Sequence, residues 1–126
     1  MPPSPPKPFA KLYLSSEMLE GVFGDGKWEL LKSIAEEGSI QRAAERLGRG
    51  YRKAWDDIKR AEKGLGKSLV SKRRGGANGG ETVLTPFGTR LLKSWERYRH
   101  DIDKAVHRAY RKHLVSAITT KENVTR

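Results

Sequence analysis

The stretch from Gly38 to Thr85, GSIQRAAERLGRGYRKAWDDIKRAEKGLGKSLVSKRRGGANGGETVLT, constrains the fold of this chain more than any other. Gly38 can end a preceding helix and Ser39 is a good N-cap. After them Ile40, Ala43, Ala44 and Leu47 recur at spacings of three and four on one face. The two alanines are small enough to let another helix cross closely, and Gly48 supplies a turn open to positive φ. A second helix, from about Arg49 to Lys63, puts Ala54, Ile58, Ala61 and, just past its end, Leu65 on an inner face with Tyr51, Trp55 and Glu62 beside it. Arg49, Arg52, Lys53, Asp56 and Arg60 are left outside. A short helix, a tight turn and a longer helix with arginines near its N-terminal end have the form of a helix-turn-helix whose second helix enters the DNA major groove.

A hairpin completes the unit. Leu69 and Val70 read as one short strand and Val83 and Leu84 as another, around the basic, glycine-rich loop SKRRGGANGGET. The glycines allow a flexible tip, and Lys72, Arg73 and Arg74 bring positive charge to where phosphates would lie. The run GGANGG also invites a reading as a nucleotide-phosphate cradle. Such a loop opens directly into a helix, whereas here residues 81–84 read as strand before Thr85 and Pro86 start the next helix. The expected class is therefore mainly α with a small β wing, a winged helix-turn-helix followed by a long helix. The residues expected at DNA are Ser39, Gln41, Arg49, Gly50, Tyr51, Arg52, Lys53, Asp56, Arg60, Lys72, Arg73 and Arg74. Of these, Gln41, Tyr51, Arg52 and Asp56 have the mixed polar chemistry that reads base edges.

These residues carry a family resemblance. GSIQRAAERLGRGYRKAWDDI followed by LVSKRRGGANGGETVLTPFGTRLL resembles the N-terminal DNA-binding domain of ModE-type molybdate-responsive transcription regulators. Its specific parts are Tyr51-Arg52-Lys53-Ala54-Trp55, the glycine-rich wing, and Leu84-Thr85-Pro86-Phe87-Gly88, and it extends over roughly Leu12 to Tyr110. A weaker likeness to LysR-type regulators covers Gly38 to Val70. The resemblance implies a DNA-binding regulator. One departure is Gly50, where the family usually has a serine that can cap the helix or touch a phosphate. Another is length. The molybdate-binding domains of the family lie after the DNA-binding domain and this chain ends before them, so molybdate binding by this chain is not expected and the effector stays open.

Charge supports a polyanionic partner. The net charge is +11, and residues 46–74 alone hold eleven Lys/Arg against three Asp/Glu, whereas residues 1–45 hold five against seven. The excess coincides with the second helix and the wing. Two functions fit: a sequence-specific transcription regulator, and an architectural chromatin protein that binds DNA with little sequence preference. An enzyme is not expected. At 126 residues the chain reads as one domain, small for a substrate pocket of its own, and no Ser/His/Asp grouping or paired-carboxylate site stands out. The absence of cysteine excludes disulfides and thiolate metal sites. His100 and His107 share a helix face but stand about 10 Å apart, too far to chelate one ion, with His113 further on. No cofactor is expected. With no apolar run of eighteen residues and no leader, a cytoplasmic, nucleoid-associated protein is expected.

The flanks differ in character. Residues 1–10, with five prolines before Phe9, read as a disordered arm, and Lys11–Leu14 as a short strand with Leu12 and Leu14 facing one way. Asp25 is placed to cap a helix from Gly26 to Glu37 with Trp28, Leu31, Ile34 and Ala35 on its apolar face. Trp28 and Trp55 are read as core residues. The DNA-binding domain then spans 11–85, a dimerisation helix 86–118 and a flexible tail 119–126. Thr85 as N-cap and Pro86 at the first position open a helix to about Lys112. Its stripe of Phe87, Leu91, Trp95, Tyr98, Ile102, Ala105 and Ala109 is close to a heptad repeat. The residues from Leu91 onward are expected to meet their copies in a homodimer; the alternative is that the stripe packs on its own domain.

Overall fold

The computed structural model describes residues 4–74 and 80–120. In chain order the elements are β1 (Tyr13–Leu14), β2 (Phe23–Gly24), α1 (Asp25–Glu37), α2 (Ile40–Arg46), α3 (Tyr51–Leu65), β3 (Val70–Arg73), β4 (Glu81–Leu84), α4 (Pro86–His113) and α5 (Val115–Thr119). β1 pairs antiparallel with β2, and β3 with β4. This is the winged helix-turn-helix, mainly helical with a small β wing, that the sequence predicts. Residues 11–96 form one compact unit; a second holds the chain up to Ala10 and from Arg97 onward.

The core of the first unit is trihelical. Leu30, Leu31 and Ile34 of α1 meet Ile40, Ala43 and Ala44 of α2 and Ala54, Ile58 and Ala61 of α3, with Phe23, Leu69 and Trp95 completing the cluster. Gly38, at φ 72°, ends α1 by donating its N–H to Ile34 O. The Ser39 hydroxyl then accepts from Arg42 N at 3.1 Å, as an N-cap should. Gly50 precedes α3 in extended conformation with no side-chain cap, the consequence of lacking a serine there.

Four local expectations change. Asp25 does not cap α1; it is its first residue, and its carboxylate accepts from Leu12 N at 2.9 Å and from Trp95 Nε1 at 3.0 Å. Ala35 faces solvent, and Leu30 occupies the inner face instead. The first strand shrinks to two residues with Leu14 exposed, and only Leu12 packs on the core. Its partner β2 has no counterpart in the sequence reading: fully buried Phe23 meets Trp95 edge-to-face, with ring centroids 5.1 Å apart.

The last contact bears on the long helix. Trp95 is 3% exposed and Leu91 packs partly buried against the same cluster. The heptad-like stripe predicts both in a subunit interface; in the structure this part of it serves the domain's own core, because β2 provides an aromatic partner and Asp25 an acceptor for the indole. Thr85 caps α4 as expected: its Oγ1 accepts from Gly88 N at 3.0 Å and donates to Ser68 O at 2.7 Å. Gly88 lies against the base of the wing, and a Cβ there would stand 2.2 Å from Leu69 O.

The wing strands are longer than the apolar residues suggest. Val70 pairs with Leu84 and Arg73 with Glu81, so Lys72 and Arg73 are strand residues rather than loop. Three hydrogen bonds close the base of the hairpin and tie it to the end of α1 and to α3. Thr82 N donates to Gly38 O at 2.9 Å, Thr85 N to Leu69 O at 2.9 Å, and the Glu62 carboxylate accepts from Leu69 N at 2.7 Å. The expected glycine tip, residues 75–79, lies outside the described residues.

In the second unit, the 97–113 part of α4 exposes Tyr98 and Ala109 and half-buries Ile102 and Ala105. Residues 4–10 have no regular secondary structure, but Pro6 O accepts from Tyr110 Oη at 2.9 Å and Ala10 O from Arg99 Nη2 at 2.7 Å. Leu114 interrupts the helix before α5; of the expected tail 119–126, Thr119 is the last residue of α5 and residues 121–126 lie outside the described residues. Among the described residues no helix is long and apolar enough to cross a membrane.

Candidate nucleic-acid interface

Successive side chains on a helix step by about 100°, which sorts the surface of α3 into three strips. With Ala54, Ile58 and Ala61 buried, Arg52, Asp56 and Lys59 occupy the opposite, outer strip. Tyr51 and Trp55 form one flank, Lys53 and Asp57 the other. The Tyr51–Trp55 flank borders a groove of about 660 Å³ between the start of α2 and the wing. Its walls are Ser39, Gln41 and Arg42 from α2 with its cap, Tyr51 and Trp55 from α3, and Lys72, Arg73, Arg74, Glu81 and Thr82 from the hairpin.

The outer strip holds its charges in defined places. The Arg52 guanidinium lies 4.9 Å from the Trp55 ring centroid, and its Nε is 3.5 Å from Asp56 Oδ1. Lys59 reaches the same ring at 5.5 Å. An arginine lying over an aromatic face and beside a carboxylate offers its planar fork from the outer strip, which suits bidentate recognition of a guanine edge. Trp55 packs partly buried on the core, as expected, and also forms the platform beneath Arg52.

The wing cations differ from one another. Arg73 is ion-paired with Glu81, its cross-strand neighbour, while Lys72 and Arg74 have no ion pair among the described residues. The groove thus collects Ser39, Gln41, Tyr51, Lys72, Arg73 and Arg74 of the expected set, with Arg52 and Asp56 on the adjoining strip.

Other members go elsewhere. Arg49, predicted to lie outside, is 26% exposed in its side chain; it donates to Gly26 O at 3.0 Å and pairs with Glu29 at 3.1 Å, fastening the start of α3 to α1. Arg60 donates to Glu20 O at 2.8 Å and so anchors the loop before β2. Lys53 pairs with Asp57 at 3.1 Å on the far flank, next to exposed Gly50. Sequence reasoning passes over Arg42, Lys59 and Glu81. Arg42, at the third helical position after the Ser39 cap, lines the groove while donating to Glu37 O at 2.6 Å. Its distance from that cap is the signal available. Among the described residues no three His, Asp or Glu side chains gather as a metal site.

ModE of Haemophilus influenzae is 33% identical over 98 residues, covering 77% of this chain and 38% of that protein. The DNA-binding transcriptional dual regulator ModE of Escherichia coli K12 is 35% identical over 88 residues, covering 69% and 34%. The chain thus spans little more than a third of the length of these relatives. Among solved structures, the BenM DNA-binding domain in complex with catB site 1 DNA shares the fold at a TM-score of 0.52 and 20% identity, over 78% of this chain and 97% of that one. ArgP of Mycobacterium tuberculosis is similar at a TM-score of 0.50 and 25% identity, over 70% and 30%. The model of the bacterial regulatory helix-turn-helix proteins of the lysR family matches residues 26–89, from the first turn of α1 through the helix-turn-helix and the wing to the start of α4. By that match, which takes in the elements that build the groove, the chain belongs to the lysR family of bacterial regulatory helix-turn-helix proteins.

Proposed function

We propose that the chain is a sequence-specific, double-stranded-DNA-binding transcription regulator that acts as a homodimer, in the cytoplasm on the chromosome, with no catalytic role. The observation that carries the reading is Arg52 on the outer strip of α3, between the Trp55 ring and Asp56 and beside a groove edged by wing cations. In this reading Arg52, Asp56, Gln41 and Tyr51 face base edges, and Lys72 and Arg74 face phosphates. Half-sites of a symmetric dimer lie about 34 Å apart, so the two copies of α3 need a spacer. Tyr98, Ile102, Ala105 and Ala109 are the members of the α4 stripe left for it once Leu91 and Trp95 pack on the core.

Selection of bound duplexes from a random-sequence pool tests the reading. A shared, two-fold symmetric motif is expected, and a pool that returns no motif selects the architectural alternative that the charge of +11 also accommodates. On the selected duplex Arg52→Ala costs about 1–3 kcal/mol, with little loss on random DNA. Equal loss on both duplexes makes Arg52 a phosphate contact.

A further inference from the structure

The wing supplies cations on one side of α3 only. A helix lying in the major groove, about 12 Å wide, has a phosphate strand on each side. The opposite side of α3 is its Lys53–Asp57 flank, about 200° around the helix from Tyr51 and Trp55. There β1, β2 and the first turn of α1 meet the start of α3 in a concavity of about 770 Å³. Four cations line it, Lys11, Lys27, Arg49 and Lys53, against Asp25 and Asp57.

Arg49 is answered within the protein by Gly26 O and Glu29, whereas Asp25 accepts from two neutral donors, Leu12 N and the Trp95 indole. What faces the concavity is Lys11, Lys27 and Lys53 against Asp25 and Asp57. Lys27 is the telling residue. Its Nζ donates once, to Gly21 O at 3.0 Å, and an ammonium has two further protons to give. Burial pushes its pKa below the ordinary lysine value; Asp57 opposes that, and Arg60 and Lys53 add to it. A half-buried ammonium in a concavity of three lysines against two carboxylates is a site with net positive charge.

We propose that this concavity is a second phosphate-binding flank, in which Lys11, Lys27 and Lys53 hold the DNA strand across the major groove from the wing. The proposal rests on the DNA-binding reading above and extends it to Lys11 and Lys27, outside both the helix-turn-helix and the wing. Asp57 works against the strand: it holds Lys53 at 3.1 Å and presents a negative charge to the phosphates.

The test uses the full chain, with one duplex recovered by selection and one of random sequence, titrated over a range of salt. Lys11→Gln combined with Lys27→Gln should make the salt dependence of binding shallower by about 0.9 per lost contact, on both duplexes alike. Asp57→Asn should act in the opposite direction, tightening both by about twofold to threefold, the repulsion of one unit charge roughly 7 Å from a phosphate in water. A gain in affinity cannot come from a damaged fold, so this variant decides the matter even if the lysine double variant is unstable. The proposal is overturned if the lysine variant keeps the wild-type slope while loss of the wing cations lowers it, or if Asp57→Asn leaves binding unchanged or weaker. A wild-type chain that binds neither duplex removes the DNA-binding reading itself, and this flank with it.

Discussion

Replacing the wing cations one at a time separates those available to DNA from the one already engaged by the protein. Lys72 and Arg73 are neighbours on β3 and Arg74 comes next; among the described residues Arg73 is the one of the three that is ion-paired, with Glu81 across the hairpin. Each phosphate neutralised by a cation contributes about 0.9 to the slope of log affinity against log salt. Lys72→Ala and Arg74→Ala should therefore each make the slope shallower by about 0.9, and the pair by about 1.8. Between about 50 and 200 mM salt, the wild-type protein then loses about 12-fold more affinity than the double variant. Glu81→Gln runs the other way: it frees Arg73 to meet a phosphate and steepens the slope by up to about 0.9. Fluorescence anisotropy of a labelled duplex, titrated at several salt concentrations, reads all of these changes. They should appear on every sequence, because phosphates carry no sequence information. Variants that keep the wild-type slope but lose affinity for a single sequence would show that the wing reads bases, and the phosphate argument would fail.

Three further outcomes are expected. Gly88→Ala sets a Cβ against Leu69 O, at 2.2 Å before relaxation, and should destabilise the fold by roughly 1–3 kcal/mol in urea melts; an unchanged midpoint would mean α4 can slide off the wing base without cost. Asp25→Ala strips the acceptor from Leu12 N and from the Trp95 indole and should lower stability by about 3–5 kcal/mol, with Asp25→Asn intermediate; equal melting of Asp25→Asn and wild type would show that the charge is immaterial. Ile102→Glu places a charge in the remaining stripe of α4 without touching the trihelical core; sedimentation should show a monomer with wild-type helix content, and a variant that stays dimeric places the interface elsewhere.

The helix-turn-helix is legible in the sequence because local chemistry and tertiary role agree there. Ser39 caps, Gly38 and Gly48 turn at positive φ, and the residues at spacings of three and four that the sequence singles out in α2 and α3 pack on the core, Leu47 and Leu65 only partly buried. β2 is not legible. Two residues at Phe23 and Gly24 are too short for any periodicity, and they are held by long-range partners, Tyr13 and Leu14 in register and Trp95 across the core. Without β2 the role of Trp95 is misread, since a heptad-like stripe does not say which of its members already has a partner inside the domain. The site shows the same division. Residue type and rough position put Arg49, Arg52 and Arg60 on one outer surface, and only the structure shows Arg49 and Arg60 turned back onto the backbone at Gly26 and Glu20. A basic residue on a recognition helix is a candidate for DNA until a carbonyl within reach claims it.

The carboxylates on this basic surface bear on the choice between a regulator and an architectural binder. Asp56, Asp57 and Glu81 each sit within ion-pair distance of a cation on α3 or the wing. The exposed pairs of Asp56 and Glu81 are worth about 0–1 kcal/mol, too little for stability to explain them. For a protein selected only to coat DNA they are a handicap, since affinity for random sequence rises with each free cation and falls with each anion facing the phosphates. They help a protein that must rank sites. In the proposed reading, Asp56 and the Trp55 ring favour the Arg52 orientation that meets a base, which lowers the entropy lost on recognition. In the same reading, Asp57 and Glu81 hold back the sequence-independent attraction. A genome offers about 10⁶–10⁹ competing sites, so the useful quantity is the ratio of specific to random affinity. A surface that pre-positions its base reader and tempers its phosphate contacts raises that ratio from both ends.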